Sequence, residues 1–146
     1  MTAIIETRVR AEIEALHEFF VGWFSGALAQ ETFDEGFLRR FDSDFLLIPP
    51  AGSLLTLEHL ASGVKGAHAT NPDFRIAIRN VRVQRVLGPH VLATYEEWQR
   101  FALASRPPEN ARIATVLFSN DEPLNWLHIH ETWLPEAVAQ AGPYDF

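Results

Sequence analysis

The chain has 146 residues, enough for one domain of ordinary size and too few for two. Hydrophobic residues make up 47% and charged residues 21%, so the chain can build a core and disorder is not expected. The net charge of −7 argues against nucleic acid as a partner, and the absence of cysteine excludes disulfides, thiolate nucleophiles and Cys-ligated zinc.

Neither a membrane span nor a secretory signal is expected. The longest uncharged stretch, 45–57, contains two prolines and is far shorter than the ~20 apolar residues of a membrane span. The N-terminal segment carries acidic as well as basic side chains, unlike a secretory signal. We therefore expect a cytoplasmic protein with one domain over residues 1–146 and no membrane partner.

The first segment is predicted to be a long helix over 3–29. Apolar side chains recur there in steps of three and four, at Val9, Ile13, Leu16 and Phe20, which places them on one face.

A second, shorter helix is predicted to begin at Thr32, because Thr32 and Glu35 have the spacing of a capping box. Its apolar face consists of aromatic residues four apart, at Phe33, Phe37 and Phe41. The Asp-Ser-Asp sequence at 42–44 predicts a stop and a turn. A short strand over 45–48 follows, and a third helix begins near Thr56.

From Phe74 onward the apolar period changes to two, which predicts four consecutive strands. The strands cover 74–83, with a bulge near Arg79 and Asn80, and then 90–101, 112–119 and 125–134. Helices followed by strands indicate an α+β fold with a mostly antiparallel sheet packed against the helices. A long helix in a strongly bent sheet leaves a hollow between the two layers.

This order of elements resembles the nuclear transport factor 2-like superfamily, and within it the SnoaL-like and kinase-association-domain branches. The local sequences that carry the resemblance are Phe41–Gly52, with its Pro-x-Gly turn, Ala93–Tyr95 and Trp126–Trp133. The last is similar to the Trp-x-x-Val-His-x-His signature of the family's final strand, but Thr132 stands where the second histidine is usual. The resemblance implies a cystatin-like cone with a cavity and, in most members, a dimer through the outer sheet face. It does not fix a function, because the fold serves isomerases, cyclases, dehydratases, transport factors and assembly domains.

Side chains alternate along a strand, so parity assigns candidate residues to the cavity. On the last strand, Leu127 and Ile129 are expected to face the helices, and Glu131 and Trp133 share their parity. On the second long strand, Tyr95, Glu97 and Gln99 share one face. In the kinase association domain the position resembling Glu97 is an inward arginine, which implies that Glu97 also points inward.

The sequence does not decide which face of the strand over 112–119 points inward, because both alternating sets of side chains are largely apolar. One set is Ala114, Val116 and Phe118; the other is Ile113, Thr115 and Leu117. A sheet that is apolar on both faces needs a second cover, and we expect a second copy of the chain to supply it.

The candidate catalytic residues are Glu131 as general base and Glu97 or Tyr95 as its acid partner. Burial and a second carboxylate nearby raise the pKa of a carboxyl, which suits proton transfer near neutral pH. The expected ligand-binding residues are Gln99, Trp133, Phe20, Trp23, Phe24 and Ile129. The alternative is that both glutamates lie in solvent at the rim, or that an arginine such as Arg100 or Arg112 pairs with one of them.

The histidines are given no catalytic role. His128 and His130 lie about 7 Å apart on one strand face, and with Glu96 they could hold a metal; without a clear third ligand, hydrogen bonds at a subunit interface are favoured. The other four are expected to be exposed: His17, His59, His68 and His90. No metal and no organic cofactor are expected. The arginines at 75, 79, 82 and 85 predict a solvated edge or an ion-pair surface between subunits.

Two functions compete. The first is a cofactor-independent isomerase, cyclase or dehydratase that moves a proton on a small, mostly apolar molecule in the cone. The second is a non-catalytic ligand-binding or dimeric assembly module whose cavity is partly filled by Trp133 and Phe24. A hydrolase ranks last, because the sequence suggests no nucleophile with a base and an orienting group.

Overall fold

The structure, a computed structural model, describes residues 2–146 as four helices and one six-stranded sheet. The helices are α1 (Thr2–Ser25), α2 (Phe33–Gly36), α3 (Leu57–Gly66) and α4 (Glu136–Ala141), with 3₁₀ turns at Gln30–Thr32 and Leu38–Arg40. The strands are β1 (Phe41–Ile48), β2 (Leu55–Thr56), β3 (Arg75–Leu87), β4 (His90–Arg100), β5 (Asn110–Ser119) and β6 (Asn125–Trp133).

The sheet is curled and open, with the strand order β2-β1-β6-β5-β4-β3. Strand β1 runs parallel to β6, and every other neighbouring pair is antiparallel. The inner face of the sheet packs against α1 and the segment around α2 to form one hydrophobic core. The predicted α+β class with a mostly antiparallel sheet is therefore confirmed. Within residues 2–146, no helix is long and apolar enough to span a membrane.

Helix α1 follows its predicted apolar stripe but ends at Ser25 rather than at residue 29. Gly26 adopts a φ of 86°, in the left-handed region where side chains with a Cβ are disfavoured, and its N–H bonds to the Trp23 carbonyl at 3.2 Å. The stripe residues Val9, Ile13 and Leu16 are fully buried.

The predicted capping box at Thr32 is wrong. The Thr32 hydroxyl donates to the Ala29 carbonyl at 2.7 Å and does not cap a helix. The segment instead forms a single helical turn between two 3₁₀ turns, which still buries Phe33 and Phe37. Aromatic burial therefore shapes this segment more strongly than the local capping signal.

The turn predicted at 42–44 is also wrong, because these residues lie inside β1. Strand β1 pairs in parallel with β6 at Phe41 and at Leu46–Ile48, and residues 42–44 lie where the register shifts between these two points. The Asp44 N–H donates to the Asp42 carboxylate at 3.0 Å, so the turn preference of Asp persists as a local hydrogen bond inside an irregular part of the strand. The short strand β2 and the helix α4 had no sequence signal that was recognised.

The register of the sheet shifts at four places, and two of these shifts bear on which side chains were expected to face the core. The bulge predicted near Arg79 and Asn80 is confirmed: the register shifts there and Asn80 has a φ of 55°. A second bulge at Leu127, opposite the step between Leu117 and Phe118, was not predicted. It turns Trp126 into the core in place of Leu127, while Ile129 and Glu131 keep their predicted inward direction.

The inward set on β5 is Ala114, Val116 and Phe118, all fully buried. This resolves the choice left open by the sequence, because each of the three pairs with an inward residue of β4. The other set faces outward.

The C-terminal segment 142–146 covers part of the outer sheet face. Trp98 points outward from β4 yet is only 3% exposed, because the Tyr144 ring lies edge-on to it at 5.5 Å. The Arg79 guanidinium lies over Trp98 at 4.5 Å and near Phe146 at 5.6 Å, and it donates to the Pro143 carbonyl. Arg79 is thus not a solvated edge residue, and the chain itself supplies a cover that we expected from a second copy. The homodimer stays a prediction for the rest of this face.

Replacing both Tyr144 and Phe146 by Ala is expected to expose Trp98 and to raise acrylamide quenching of tryptophan fluorescence. Each aromatic contact contributes about 0.5–1.5 kcal/mol, so the free energy of unfolding should fall by roughly 1–3 kcal/mol. The same double substitution in a Trp98→Phe background is the control, because it measures the change that comes from Trp133, which lines the same pocket as Tyr144. Unchanged quenching in the Trp98-containing protein would show that the segment does not cover this side chain.

Candidate functional site

Two carboxylates of the sheet are buried beneath helix α1. Glu97 on β4 is 6% exposed and Glu131 on β6 is 8% exposed. Both lie on the inner face, as the alternation of side chains along β6 predicted for Glu131 and as the resemblance to the kinase association domain implied for Glu97. A buried carboxylate is costly without a charged or hydrogen-bonding partner, so the partners of the two groups define the site.

Glu97 pairs with His17 of helix α1. His17 Nε2 lies 3.0 Å from Glu97 Oε1, and His17 Nδ1 lies 2.7 Å from the Ile13 carbonyl oxygen. A carbonyl oxygen only accepts, so Nδ1 must carry a hydrogen and donate it to Ile13. The hydrogen bond to Glu97 therefore needs a second proton, held between Nε2 and the carboxylate.

That second proton resides on His17. Burial by itself lowers the pKa of His17, but the charge of Glu97 and the bonds to Glu97 and Ile13 outweigh burial and raise the pKa above 6.5. Burial raises the pKa of Glu97, yet His17, Arg112 and Gln99 together lower it to about 2. The pair is thus an imidazolium and a carboxylate that connects α1 to the sheet.

A chain of hydrogen bonds joins Glu97 to Glu131. Gln99 Nε2 donates to Glu97 Oε2 at 2.6 Å, and Asn110 Nδ2 donates to Gln99 Oε1 at 3.4 Å. Arg112 then donates from one terminal nitrogen to Asn110 Oδ1 at 3.2 Å and from the other to Glu131 Oε1 at 3.4 Å. The two carboxylates therefore share one network that runs through neutral amides and one guanidinium.

Glu131 is the carboxyl of this network that titrates near neutrality. Burial, followed by the negative charge of Glu97, raises the pKa of Glu131 to about 7 against the opposing charges of Arg112 and His17. The contact with Arg112 is a single long one rather than a bidentate pair, so it does not restore an ordinary acidic carboxyl. Glu131 can accordingly gain or lose a proton at physiological pH.

Tyr95 adds a protonated phenol to the same region. Its ring lies edge-on to His17 at a centroid distance of 5.5 Å and is 1% exposed. Burial, followed by the charges of Glu131 and Glu97, raises the pKa of Tyr95 well above 10. The hydroxyl therefore keeps its proton, and it can donate a hydrogen bond but not act as a base.

A pocket of about 590 Å³ opens where α1 and β4 end. Its apolar wall includes Phe24, Phe74 and Ala102, and its polar wall includes Gln99 and Arg112. These last two side chains also bond directly to Glu97 and Glu131, so the pocket reaches the carboxylates through Gln99 and Arg112.

The structure brings together some of the predicted site residues and separates others. Glu131, Glu97, Tyr95 and Gln99 lie together, Phe20 packs edge-on to His17 at 5.6 Å, and Phe24 lines the pocket. Ile129 is a core residue. Trp23 is also core: it donates from its indole to the Val64 carbonyl at 2.6 Å and packs between Phe19 and Phe33.

Trp133 lies at the edge of the site rather than in it. One face of its indole carries the Arg112 guanidinium at 4.9 Å, and the side chain is half exposed beside a separate pocket of about 560 Å³ near α4. Trp133 therefore does not plug the pocket that reaches Glu131.

The expectation that His17 is exposed is wrong, since the side chain is 4% exposed. The signal was present in the sequence: His17 follows Ile13 by four positions and precedes Phe20 by three, so it continues the apolar stripe. Asn110 lies outside the predicted strand 112–119 and was not among the predicted site residues. The alternative in which Arg112 pairs with one of the glutamates is the arrangement observed, with Glu131 as its partner.

Metal ligands are not clustered in the structure. Across residues 2–146, no three His, Asp or Glu side chains are placed to hold one metal ion. His128 and His130 lie on β6 opposite Leu46 and Ile48 of β1. Their role at a subunit interface stays a prediction.

Comparisons with solved structures give the class of the fold, an α+β cone of the cystatin-like kind. A nuclear transport factor 2-like protein of unknown function from Pseudomonas aeruginosa superimposes with a TM-score of 0.77 at 25% identity, covering 88% of this chain and 99% of that one. A candidate dehydratase of the same family from Streptomyces avermitilis superimposes with a TM-score of 0.68 at 13% identity, covering 92% of this chain and 99% of that one. The association domain of the calcium/calmodulin-dependent kinase II from C. elegans gives 0.66 at 12% identity, covering 90% and 97%.

The chain thus has the fold of the nuclear transport factor 2-like superfamily, as its element order and motifs indicated. No protein-family model matches the sequence, and no curated protein matches it.

The stability of the protein should depend on the proton at Glu131. Because the folded-state pKa is about 7 and the ordinary value is 4.5, the folded protein keeps a proton that the unfolded chain releases in this window. The free energy of unfolding should therefore fall as pH rises from 4.5 to 8, with Glu131 contributing a loss on the order of 3 kcal/mol.

Urea denaturation across this pH range tests the expectation. Glu131→Gln should remove this part of the loss, because the amide mimics the neutral carboxyl. His17 adds a loss of the same sign above pH 6.5 in both proteins, and the charge of Glu131 raises the pKa of His17, so the difference between the two curves reports Glu131 together with its coupling to His17. Parallel curves for the two proteins would contradict the raised pKa.

Proposed function

We propose that this protein binds a small, mostly apolar organic molecule in the pocket at the end of α1. The observation that carries the proposal is the pocket of about 590 Å³ that contacts the buried carboxylate network through Gln99 and Arg112. Pockets of ~300–1,000 Å³ with apolar walls and few convergent polar groups are typical of small-molecule sites. The wall contributed by Phe24, Phe74 and Ala102 suits the apolar body of a ligand, and Gln99 and Arg112 suit its polar end.

A second candidate function, proton transfer on the bound molecule, is supported by the pKa of Glu131. A general base works best when its pKa lies near the working pH, and the pKa of about 7 meets this condition. In this proposal Glu131 removes a proton next to a carbonyl, after Arg112 moves aside or turns toward the substrate. Tyr95 keeps its proton and donates a hydrogen bond to the oxyanion that develops.

In this proposal Glu97 does not act as the acid that the sequence led us to expect. A carboxyl whose pKa is about 2 does not carry a proton to donate at neutral pH. Its charge instead raises the pKa of Glu131, and His17 keeps that charge in place. Glu97 is therefore a positioning residue, and the reaction needs no metal and no organic cofactor in this proposal.

Ligand binding without catalysis uses the same pocket and leaves Glu131 as a binding group. An assembly role would instead use the uncovered outer face of the sheet, and a structural neighbour that is an association domain supports it. The pocket favours ligand binding over assembly alone, because assembly through the outer face needs no cavity on the inner face.

Binding is tested with 4-phenylbutan-2-one, a ketone with an apolar body, by titration in ¹⁵N-resolved NMR spectra. We expect shifts at the Gln99 side chain and at the backbone of 102–105, which line the pocket. Ala104→Trp should weaken binding at least tenfold, because the indole occupies the pocket. Ala139→Trp, the same substitution beside the pocket near α4, is the matched control and should leave binding unchanged. Shifts that map to the control site, or none at all, would overturn the ligand-binding proposal.

Proton transfer is tested by following exchange of the ketone's α-hydrogens in D₂O by NMR. Glu131→Gln should abolish the catalysed exchange and leave the fold intact, because an amide has no basic oxygen of suitable pKa. Glu97→Gln should shift the pH profile of exchange to lower pH, because removing a neighbouring charge lowers the pKa of Glu131. Exchange that is unaffected by Glu131→Gln would exclude Glu131 as the base and leave the binding proposal standing.

A further inference from the structure

We propose that the ligand of this pocket carries a single carboxylate, which binds the Arg112 guanidinium in place of Glu131. The inference rests on the proposed small-molecule binding and not on proton transfer, because Glu131 is protonated and cannot act as a base in the complex it describes. It names the chemical class of the ligand. It is carried by the charge of the pocket wall, the donors of Arg112 and the charge balance of the network.

The wall of the pocket carries one positive charge. Among its lining residues in the described part of the chain, Arg112 alone is ionised, and the rest are apolar or neutral. Glu97 and Glu131 lie behind Gln99 and Arg112, where they bond to these two side chains. A ligand that enters along the apolar wall therefore meets a cation before it meets a carboxylate.

The hydrogen-bond donors of Arg112 are underused. Its bonds to Glu131 and Asn110 are 3.4 and 3.2 Å long, whereas charge-assisted bonds are about 2.7–2.9 Å. Its Nε is buried and has no hydrogen-bond partner within residues 2–146. A guanidinium with two long bonds and one unused donor can turn toward a carboxylate and form the bidentate pair it lacks.

The charges of the network allow this exchange. His17 and Glu97 neutralise each other in a pair at 3.0 Å, so Arg112 and Glu131 are the remaining cation and anion. When a ligand carboxylate takes the guanidinium, Glu131 faces Glu97 without its cation, and only His17 and the neutral Tyr95 remain beside it. Glu131 then takes up one proton from solvent and becomes a neutral hydrogen-bond donor. Binding of the anion is therefore coupled to proton uptake.

The pH dependence follows from this coupling. Above pH 7, where Glu131 is ionised in the free protein, binding takes up nearly one proton, and the affinity should fall up to tenfold per pH unit. Below pH 7 Glu131 already holds its proton, so uptake should disappear and the affinity should level off.

The test compares 4-phenylbutanoate with 4-phenylbutanamide, which share one apolar body and differ only in the head group. Isothermal titration calorimetry at pH 8, in phosphate and in Tris, gives the affinity of each and the number of protons taken up. We expect the carboxylate to bind at least tenfold more tightly than the amide, with uptake approaching one proton. Arg112→Gln should reduce the affinity for the carboxylate to that for the amide, while Arg85→Gln, on the outer face of β3, should change neither.

The outcomes separate the two proposals. Equal or tighter binding of the amide, or carboxylate binding without proton uptake, overturns the carboxylate assignment and leaves small-molecule binding intact. Binding of neither probe overturns both proposals. Proton uptake is measured on the unsubstituted protein, so the inference stays testable even where Arg112→Gln fails to fold.

Discussion

The ion pair between His17 and Glu97 is the interaction on which the rest of the site depends. It joins helix α1 to strand β4 of the sheet through two side chains that are almost completely buried. A buried pair of this kind contributes little net stability, because the loss of hydration offsets the attraction, but removal of either partner would leave an uncompensated charge. Its consequence is electrostatic: it keeps Glu97 negative at neutral pH, and that charge raises the pKa of Glu131.

Much of the site was accessible from the sequence because strands alternate. Parity, with Leu127 and Ile129 expected to face the helices, predicted that Glu131 points inward. The inward direction of Tyr95 and Glu97 came from parity together with the resemblance to the kinase association domain. The choice left open on β5 was resolved only by its pairing with β4 in the structure. The bulge at Leu127 had no sequence signal, so Leu127 was expected to face the helices where the structure places Trp126. A bulge adds one residue to a strand without a fixed composition, and it is revealed only by the register of the neighbouring strand.

The residues that complete the network were harder to predict for a different reason. His17 and Asn110 become partners of Glu97 and Gln99 only through contacts between distant elements. A histidine on the apolar stripe of a helix is compatible with burial, but its partner depends on which strand the helix crosses. Trp23 and Trp133 were expected to line the ligand pocket because they are aromatic. In the structure Trp23 is a core residue, and Trp133 lies beside the separate pocket near α4.

Burial of Glu131 and the negative charge of Glu97 together bring the pKa of Glu131 near neutrality. The most direct measurement is an NMR titration of ¹³C-labelled glutamate carboxyls in the unsubstituted protein and in Glu97→Gln. We expect Glu131 to titrate with a pKa of about 7 in the unsubstituted protein and at a lower pH in the variant. A Glu131 carboxyl that titrates near 4.5 in both proteins would contradict this expectation.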